Sequence, residues 1–294
     1  MASSSKIEWC DTTWNPSTGC TKVSPGCTNC YALDMAGRLK GMNNRRYENG
    51  FSFTHHPDKL SEPKTIRTPK RIFVNSQSDV LHEEMRPEFL YAMFKQMNEA
   101  DWHIYMMLTK RGERLAEVGP ALPWSEHIWM GVSVEHGLPY DSKQRRPTDR
   151  IDQLRESGAK IKFLSVEPLI GPVPNLDLEG IDWVIIGGES GPKAREMKLE
   201  WALEVFQQCR EADVPVFVKQ LGRVWAKQNG SRDSKGGQME DWPQILRVRE
   251  WPHCYDALWQ KHQNRAPRRK STHRPSREPH PLTENIIYHK SENV

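Results

Sequence analysis

Short apolar runs alternate with amphipathic segments along most of the chain. The runs that have the length of one strand are 71–76, 103–108, 128–134, 161–166, 183–186 and 216–218. Between them apolar residues recur at helical spacing, most clearly in 88–100 and 199–210. Such alternation is typical of a parallel sheet built from βαβ units. With six or seven strands, the pattern predicts an α/β fold, namely a full or partial (β/α) barrel of parallel strands.

Polar residues directly follow most of these runs. In parallel sheets ligands bind at the carboxyl ends of the strands, so we expect these residues to meet at one mouth. The predicted mouth residues are Asn75, Ser76, Asp79, Thr109, Lys110, Ser133, Glu135, Glu167, Glu189 and Lys219. Turn formation and helix capping are the alternative for Asn75, Ser76 and Asp79, since these residue types often do both.

Residues 7–19, with Trp9 and Trp14 among their apolar residues, are expected to form a first short strand. Three cysteines lie close together after it, at Cys20, Cys27 and Cys30. Pro25 and Gly26 between them favour a loop. Thiolates are soft metal ligands, and three of them can hold three corners of a four-iron cluster while the fourth iron stays open for a small molecule. A zinc site would need a fourth ligand, which would have to be recruited from elsewhere. The candidates for that fourth ligand are Cys10, His55 and His56.

Composition sets the class of protein. The chain has 294 residues, of which 36% are hydrophobic and 11 are Trp, enough for a sizeable core. It contains no apolar run of about 18 residues, so we expect no membrane span, and its start is not typical of a secretory signal. We therefore expect a cytoplasmic protein, in which six cysteines are ligands or buried thiols rather than disulfides.

The net charge of +4 comes from the end of the chain. Residues 255–294 carry eight Lys or Arg and four Asp or Glu, which leaves 34 of each sign in 1–254. Pro, His, Arg and Ser dominate the end. We therefore predict a barrel domain at 1–254 and a disordered basic tail at 255–294. The basic run at 268–270 is a candidate contact for nucleic acid, with a solvated end as the alternative.

The cysteine segment resembles a known family. The matching residues are Ile7-Glu8-Trp9, Trp14-Asn15-Pro16, Gly19-Cys20 and Gly26-Cys27-Thr28-Asn29-Cys30-Tyr31-Ala32. The likeness continues through 73–79, 108–111, 131–135, 163–168, 187–191 and 219–220. The family is bacterial and phage-borne, is named after mycobacteriophage gene products thirty-seven and sixty-eight, and is also catalogued as a domain of unknown function. The resemblance spans nearly all of 6–252.

That family is regarded as radical S-adenosylmethionine (SAM)-like and is distantly similar to spore photoproduct lyase. The resemblance implies a 4Fe–4S cluster on Cys20, Cys27 and Cys30, SAM on the open iron, and an external electron donor. The cofactor-binding residues that it implies, together with the strand-end pattern, are Asn75, Ser76, Asp79, Ser133, Glu135, Glu167, Gly187, Gly188 and Glu189. The substrate is left open, with a nucleic-acid base or nucleotide as the favoured class, and a "three-Cys-motif partner" protein is the implied partner.

The segment departs from the superfamily in two ways. The cysteine spacing is Cys-x6-Cys-x2-Cys instead of Cys-x3-Cys-x2-Cys. The triplet Gly187-Gly188-Glu189 comes several strands later than the superfamily's Gly-Gly-Glu, so its role at the SAM amino group is not transferred. The alternative function is a non-enzymatic zinc- or cluster-binding phage-type protein that acts with its partner.

Overall fold

The computed structural model describes residue 5 and residues 7–265. In this part of the chain the strands are β1 (Thr12–Trp14), β2 (Ser17–Thr18), β3 (Thr54–His55), β4 (Arg71–Val74), β5 (Ile104–Thr109), β6 (Ile128–Ser133), β7 (Ile161–Val166), β8 (Trp183–Gly187) and β9 (Val216–Gln220). The α-helices are α1 (Tyr31–Gly41), α2 (Glu62–Thr65), α3 (Pro87–Glu99), α4 (Gly112–Val118), α5 (Arg150–Arg155), α6 (Leu199–Glu211), α7 (Arg223–Gln228) and α8 (Tyr255–Arg265).

Seven strands form one sheet in the order β1-β4-β5-β6-β7-β8-β9. Every neighbouring pair is parallel. β1 and β9 are the two edges, so the sheet is a half-barrel, and the α/β prediction is confirmed in its partial form. The pattern missed β2 and β3, which pair antiparallel, because two residues each are too few to show a period.

The two faces of the sheet carry different cores. Along β6, Ile128, Met130 and Val132 belong to the larger cluster, which also contains the buried faces of α3 and α6. Trp129 points to the other side, as alternation in a strand requires. The helices therefore cover the outer face, and the inner face of the half-barrel has a packed core of its own.

Aromatic rings fill the amino-terminal part of the inner face. Trp129, Phe163, Trp183 and Phe217 are all at most 2% exposed. Trp183 stacks on Trp251 with ring centroids 5.1 Å apart. We call this group, together with Trp9 and Phe73, the aromatic floor. It closes one end of the half-barrel and leaves the carboxyl ends of the strands as the open end.

The segment that leads into the aromatic floor corrects the predicted domain boundary. Just before residue 253 the chain returns to the sheet through an antiparallel bridge between Arg249 and Phe217 of β9. Residues 255–265 form α8 instead of a disordered tail, and Leu258 is buried against the floor. The boundary at 254 was therefore wrong, because the apolar side chains of this helix complete the inner core. The rest of the predicted tail, with its basic run at 268–270, lies outside the described residues.

Among the described residues, none of the helices combines the length and apolar character needed to cross a membrane.

Candidate functional site

The open end of the half-barrel is lined by the inward positions that follow the aromatic floor. On β6 the inward positions after Trp129 are Gly131 and Ser133. On β7 those after Phe163 are Ser165 and Glu167. On β9 the next inward position after Phe217 is Lys219. Along β6, β7 and β9, period-two alternation therefore changes the inward side chains from aromatic to polar towards the carboxyl ends. We call this polar end the mouth.

The loop that carries the three cysteines is fixed to the end of β6. The Ser24 hydroxyl donates a hydrogen bond of 2.6 Å to Glu135 Oε1. Glu135 Oε2 accepts from Arg150 Nη1 at 2.9 Å, and neither side chain of this ion pair is more than 4% exposed. Burial by itself would raise the pKa of Glu135, but the charges of Arg150 and Lys110 outweigh it and hold this pKa below its ordinary value. Ser24 is thus attached to a buried carboxylate that stays ionised.

Gly26 allows this approach because it has no side chain. A Cβ at Gly26 would lie 2.4 Å from both Cγ and Oε1 of Glu135. Glu135 cannot move aside easily, since Arg150 holds its other oxygen. The glycine between the first two cysteines is therefore required by packing as well as by the turn.

A second contact joins the loop to the end of β8. Asn29 Nδ2 donates to Glu189 Oε2 at 3.0 Å and to the Lys193 carbonyl at 2.7 Å. Arg195 holds Glu189 through both oxygens and also donates to the Pro25 carbonyl at 3.0 Å. Burial would raise the pKa of Glu189, yet the hydrogen bonds from Arg195 and Asn29 lower it overall. The predicted cofactor residues Glu135 and Glu189 thus both act as anchors for the loop.

Two further contacts lie at the ends of β4 and β5. The Tyr31 hydroxyl donates to the Ser76 carbonyl at 2.6 Å. Arg111 Nη2 donates to Thr21 Oγ1 at 2.8 Å and lies 3.8 Å from Cys20 Sγ. The loop from Cys20 to Tyr31 therefore contacts residues that follow β4, β5, β6 and β8. The convergence expected from the sequence is present for this loop.

The three cysteines are free and partly buried. Burial raises the pKa of the Cys20 thiol to about 12, with Asp79 adding to the rise and Arg111 opposing it. No group of three or more His, Cys, Asp or Glu side chains in the described ranges is arranged to hold a metal ion. The structure thus brings the thiols to the mouth on one loop but does not gather them around one ion.

The proposed fourth zinc ligands have other contacts. His56 Nε2 lies 2.8 Å from Thr18 Oγ1, and the His55 ring packs on Phe89. Cys10 Sγ lies 3.2 Å from Ser5 Oγ in the inner core, where burial raises its pKa to about 11.

Glu167 and the double glycine lie together on the far side of the mouth. Lys219 Nζ pairs with Glu167 Oε1 at 2.5 Å. A Cβ at Gly187 would lie 3.1 Å from the Glu167 carboxyl carbon, so this glycine leaves room for the acid. A Cβ at Gly188 would lie 2.5 Å from the Leu221 carbonyl oxygen, so Gly188 serves strand packing. Lys110 Nζ donates to Ser133 Oγ at 3.0 Å on the opposite wall.

The residues after β4 divide into two groups. Asp79 accepts hydrogen bonds from the Thr109 hydroxyl at 2.7 Å and from the Lys110 amide at 3.1 Å, and it therefore joins the ends of β4 and β5. Asn75 lies deeper, with φ of 59°, and its Nδ2 donates to Ser17 Oγ at 3.0 Å. Asn75 Oδ1 and Gln77 Oε1 are buried and have no hydrogen-bond partner among the described residues.

Several anchoring residues gave no usable signal in the sequence. Arg150 and Arg195 lie 15 and 6 positions after their carboxylates, and neither sits at a strand end. Ser24 and Asn29 lie inside the cysteine segment. Their position between candidate ligands was the one indication in the sequence that they could fix the loop. Asn15, whose Oδ1 accepts from Ser76 Oγ at 3.1 Å, was noted only as part of the family motif.

Residues 4–274 match the family described as "Protein of unknown function (DUF5131)". The chain belongs to this family. The matched range runs past residue 254 and takes in α8, in agreement with the corrected boundary. No curated protein matches the DUF5131 chain. The match carries no phage name, so the phage origin of the family stays a prediction.

Among solved structures, the chain is similar to spore photoproduct lyase. One is a cysteine-to-alanine, serine-to-cysteine double variant with bound AdoMet and dinucleoside spore photoproduct, with 12% identity and a TM-score of 0.46. The likeness covers 72% of this chain and 64% of that chain. Another is a cysteine-to-serine variant, with 13% identity, a TM-score of 0.47, and coverage of 75% and 58%. The chain thus spans less than two thirds of these proteins, and likenesses of this size carry no argument about activity.

Proposed function

We propose that this chain is an iron–sulfur enzyme of the radical SAM type, with Cys20, Cys27 and Cys30 as the cluster ligands. The observation that carries the proposal is the attachment of the cysteine loop across the ends of β4, β5, β6 and β8. A loop that only connected two elements would not need two buried or half-buried carboxylates to hold it. Three free thiols are thereby kept at the mouth of a parallel half-barrel.

The donor set fits a cluster better than a single ion. Each thiolate of a four-iron cluster binds a different iron, so the sulfurs surround a cube and need not converge on one point. A zinc ion needs four ligands around one centre. Of the candidate fourth ligands, His56 contacts Thr18 and Cys10 contacts Ser5. When bound, the cluster would supply the electron that cleaves SAM, with an external protein as the electron donor.

The chain's own residues would orient SAM and exclude water from the mouth. Asn75 Oδ1 and Gln77 Oε1 are buried acceptors without partners in residues 7–265, and such acceptors suit the ammonium or hydroxyl donors of SAM. Ser133 and Glu167 offer further polar atoms on the β6 and β7 sides. Glu135 and Glu189 would act indirectly, since their oxygens already hold the loop. The aromatic floor would keep bulk water out from below.

The test is anaerobic reconstitution of the full chain with iron and sulfide, followed by SAM and dithionite. We expect about four irons per chain, and 5′-deoxyadenosine should form in a reaction that depends on SAM. Cys27→Ala should lose most of the iron. Cys254→Ala is the matched control, because Cys254 is also free and partly buried but lies near Asp182 and Glu126, at the amino end of the sheet.

Equal iron in the two variants would contradict the ligand assignment. A loaded cluster that never yields 5′-deoxyadenosine would remove the radical SAM claim. One zinc per chain with no iron uptake would favour a non-enzymatic zinc protein that acts with its partner.

A further inference from the structure

A cavity of about 580 Å³ lies beside the cysteine loop, between α4 and the segment that leads into α5. Lys22 and Val23 of the loop form one wall, and Lys110, at the end of β5, forms another. Its volume is within the range of small-molecule sites, roughly 300–1,000 Å³. The cavity adjoins the mouth, because Lys110 lines it and also contacts Ser133.

The lining of this cavity is rich in positive charge. Seven Lys or Arg side chains line it against four Asp or Glu. Arg111 and Arg145 are neutralised by the lining acids Glu83 and Glu113. The lining cations that form no ion pair with a carboxylate of the described chain are Lys22, Lys110, Arg114 and Arg146. An excess of unpaired cations in a cavity favours an anionic ligand.

Three arginines of the lining, Arg111, Arg114 and Arg150, also have buried N–H groups that find no hydrogen-bond partner in the described residues. Arg150 is 4% exposed, and its buried Nη2 has no hydrogen-bond acceptor in the described residues. The same is true of Arg114 Nε, although the Nη2 of Arg114 donates to the Met85 carbonyl at 3.0 Å. A buried charged donor without an acceptor is costly and calls for an explanation. A ligand with several acceptor oxygens would supply those acceptors.

Phosphate is the anion that these donors suit best. Guanidinium groups match its oxygens in pairs, and lysine adds a point charge. We propose that this cavity binds the phosphate groups of a phosphorylated ligand. The inference goes beyond the proposed function, because it requires neither cluster nor SAM.

The position of the cavity links it to the mouth. Lys110 Nζ contacts Ser133, and Arg150 holds Glu135, so both cations lie in the wall between cavity and mouth. Lys22 follows the first cysteine by two residues. A phosphate held here leaves the rest of the ligand next to the cysteine loop. One further step rests on the proposed function. If that function holds, the substrate that binds at the mouth is a phosphorylated compound.

The test measures binding to the full chain by titration calorimetry, without SAM. The probes are inorganic tripolyphosphate, a short single-stranded oligodeoxynucleotide, and citrate as a carboxylate anion of comparable charge. The variant is Lys22→Gln with Arg146→Gln, both exposed, so folding should be unaffected. We expect this double variant to weaken phosphate binding about tenfold. If the oligonucleotide binds, the slope of log affinity against log salt should fall by about 2.

The matched control removes the same charge at the opposite end of the sheet, through Arg67→Gln with Lys160→Gln. Both residues are exposed and precede strands β4 and β7. If tripolyphosphate binds the control but binds Lys22→Gln with Arg146→Gln more weakly, the ligand is a free phosphate compound. If only the oligonucleotide shows this difference, the ligand is a nucleic acid. The inference is overturned if neither probe binds, if citrate binds as tightly, or if both double variants lose affinity equally. None of these binding measurements depends on the formation of 5′-deoxyadenosine, so the phosphate site and the proposed function can fail independently of each other.

Discussion

Asn29 lies between two of the candidate ligand cysteines and donates a hydrogen bond of 3.0 Å to Glu189, 160 positions further along the chain. The carboxylate that receives it is held on both oxygens by Arg195. A loop with three cysteines and hardly any regular structure is thereby attached to the carboxyl ends of the parallel strands. The predictions that follow test this attachment and the core beneath it.

The Asn29 contact can be removed without touching a cysteine. Asn29→Ala should weaken the attachment of the loop by about 1–2 kcal/mol, because a hydrogen bond to a charged group is lost. The measurement is hydrogen–deuterium exchange over residues 20–31, where exchange should become faster. Asn49→Ala is the control, since Asn49 is exposed and its side chain donates no hydrogen bond within the described chain. Unchanged exchange in Asn29→Ala would show that the loop does not depend on Glu189.

Two glycine substitutions should have opposite effects. Gly26→Ala places a Cβ 2.4 Å from the fixed Glu135 side chain, so we expect a loss of about 1–3 kcal/mol in the free energy of unfolding. Gly37→Ala, in α1, meets nothing within 4 Å and should gain up to about 1 kcal/mol from helix propensity. Urea unfolding measures both. Equal and small effects would mean that the loop does not sit against Glu135 as described.

The pH dependence of stability should reveal the Glu135–Arg150 pair. The folded-state pKa of Glu135 is below its ordinary 4.5, so its contribution is complete above that value and is lost as the pH falls through the folded pKa. Glu135→Gln should therefore cost about 3 kcal/mol at neutral pH, because Arg150 is left buried and unpaired. The difference from the unmodified chain should shrink as the pH falls below 4.5 and through the folded-state pKa of Glu135. Urea unfolding across this range is the measurement, and a difference that stays constant with pH would rule out an ionised Glu135.

The corrected boundary predicts that α8 is part of the fold. A chain that ends at residue 254 should lose about 4 kcal/mol in the free energy of unfolding relative to one that ends at 265, because Tyr255, Leu258 and Trp259 no longer cover the aromatic floor. The shorter chain should also bind a hydrophobic dye through the uncovered rings. Equal stability of the two chains would support the domain boundary at residue 254 that the composition predicted.

The sequence alone indicated the strands and the position of the cysteines. The runs at 161–166 and 128–134 coincide with β7 and β6 to within a residue, because fully buried parallel strands are short and continuously apolar. The order of strand ends along the chain also indicated where polar residues would meet. α8 was missed because its mean composition is polar, and only the structure shows that one face, with Leu258 and His262, is buried.

What only the tertiary structure decided is how the cysteine loop is held. Ser24 and Asn29 meet Glu135 and Glu189, 111 and 160 positions away, because the sheet brings the ends of β6 and β8 to the loop, and no local pattern encodes such separations. The same folding brings Lys22 and Arg146 to one cavity from distant segments. Hydrophobic periodicity is a local property, so the sequence determined the elements and the thiols. The contacts between the loop and the strand ends depend on three-dimensional proximity, and they appear only once the sheet has formed.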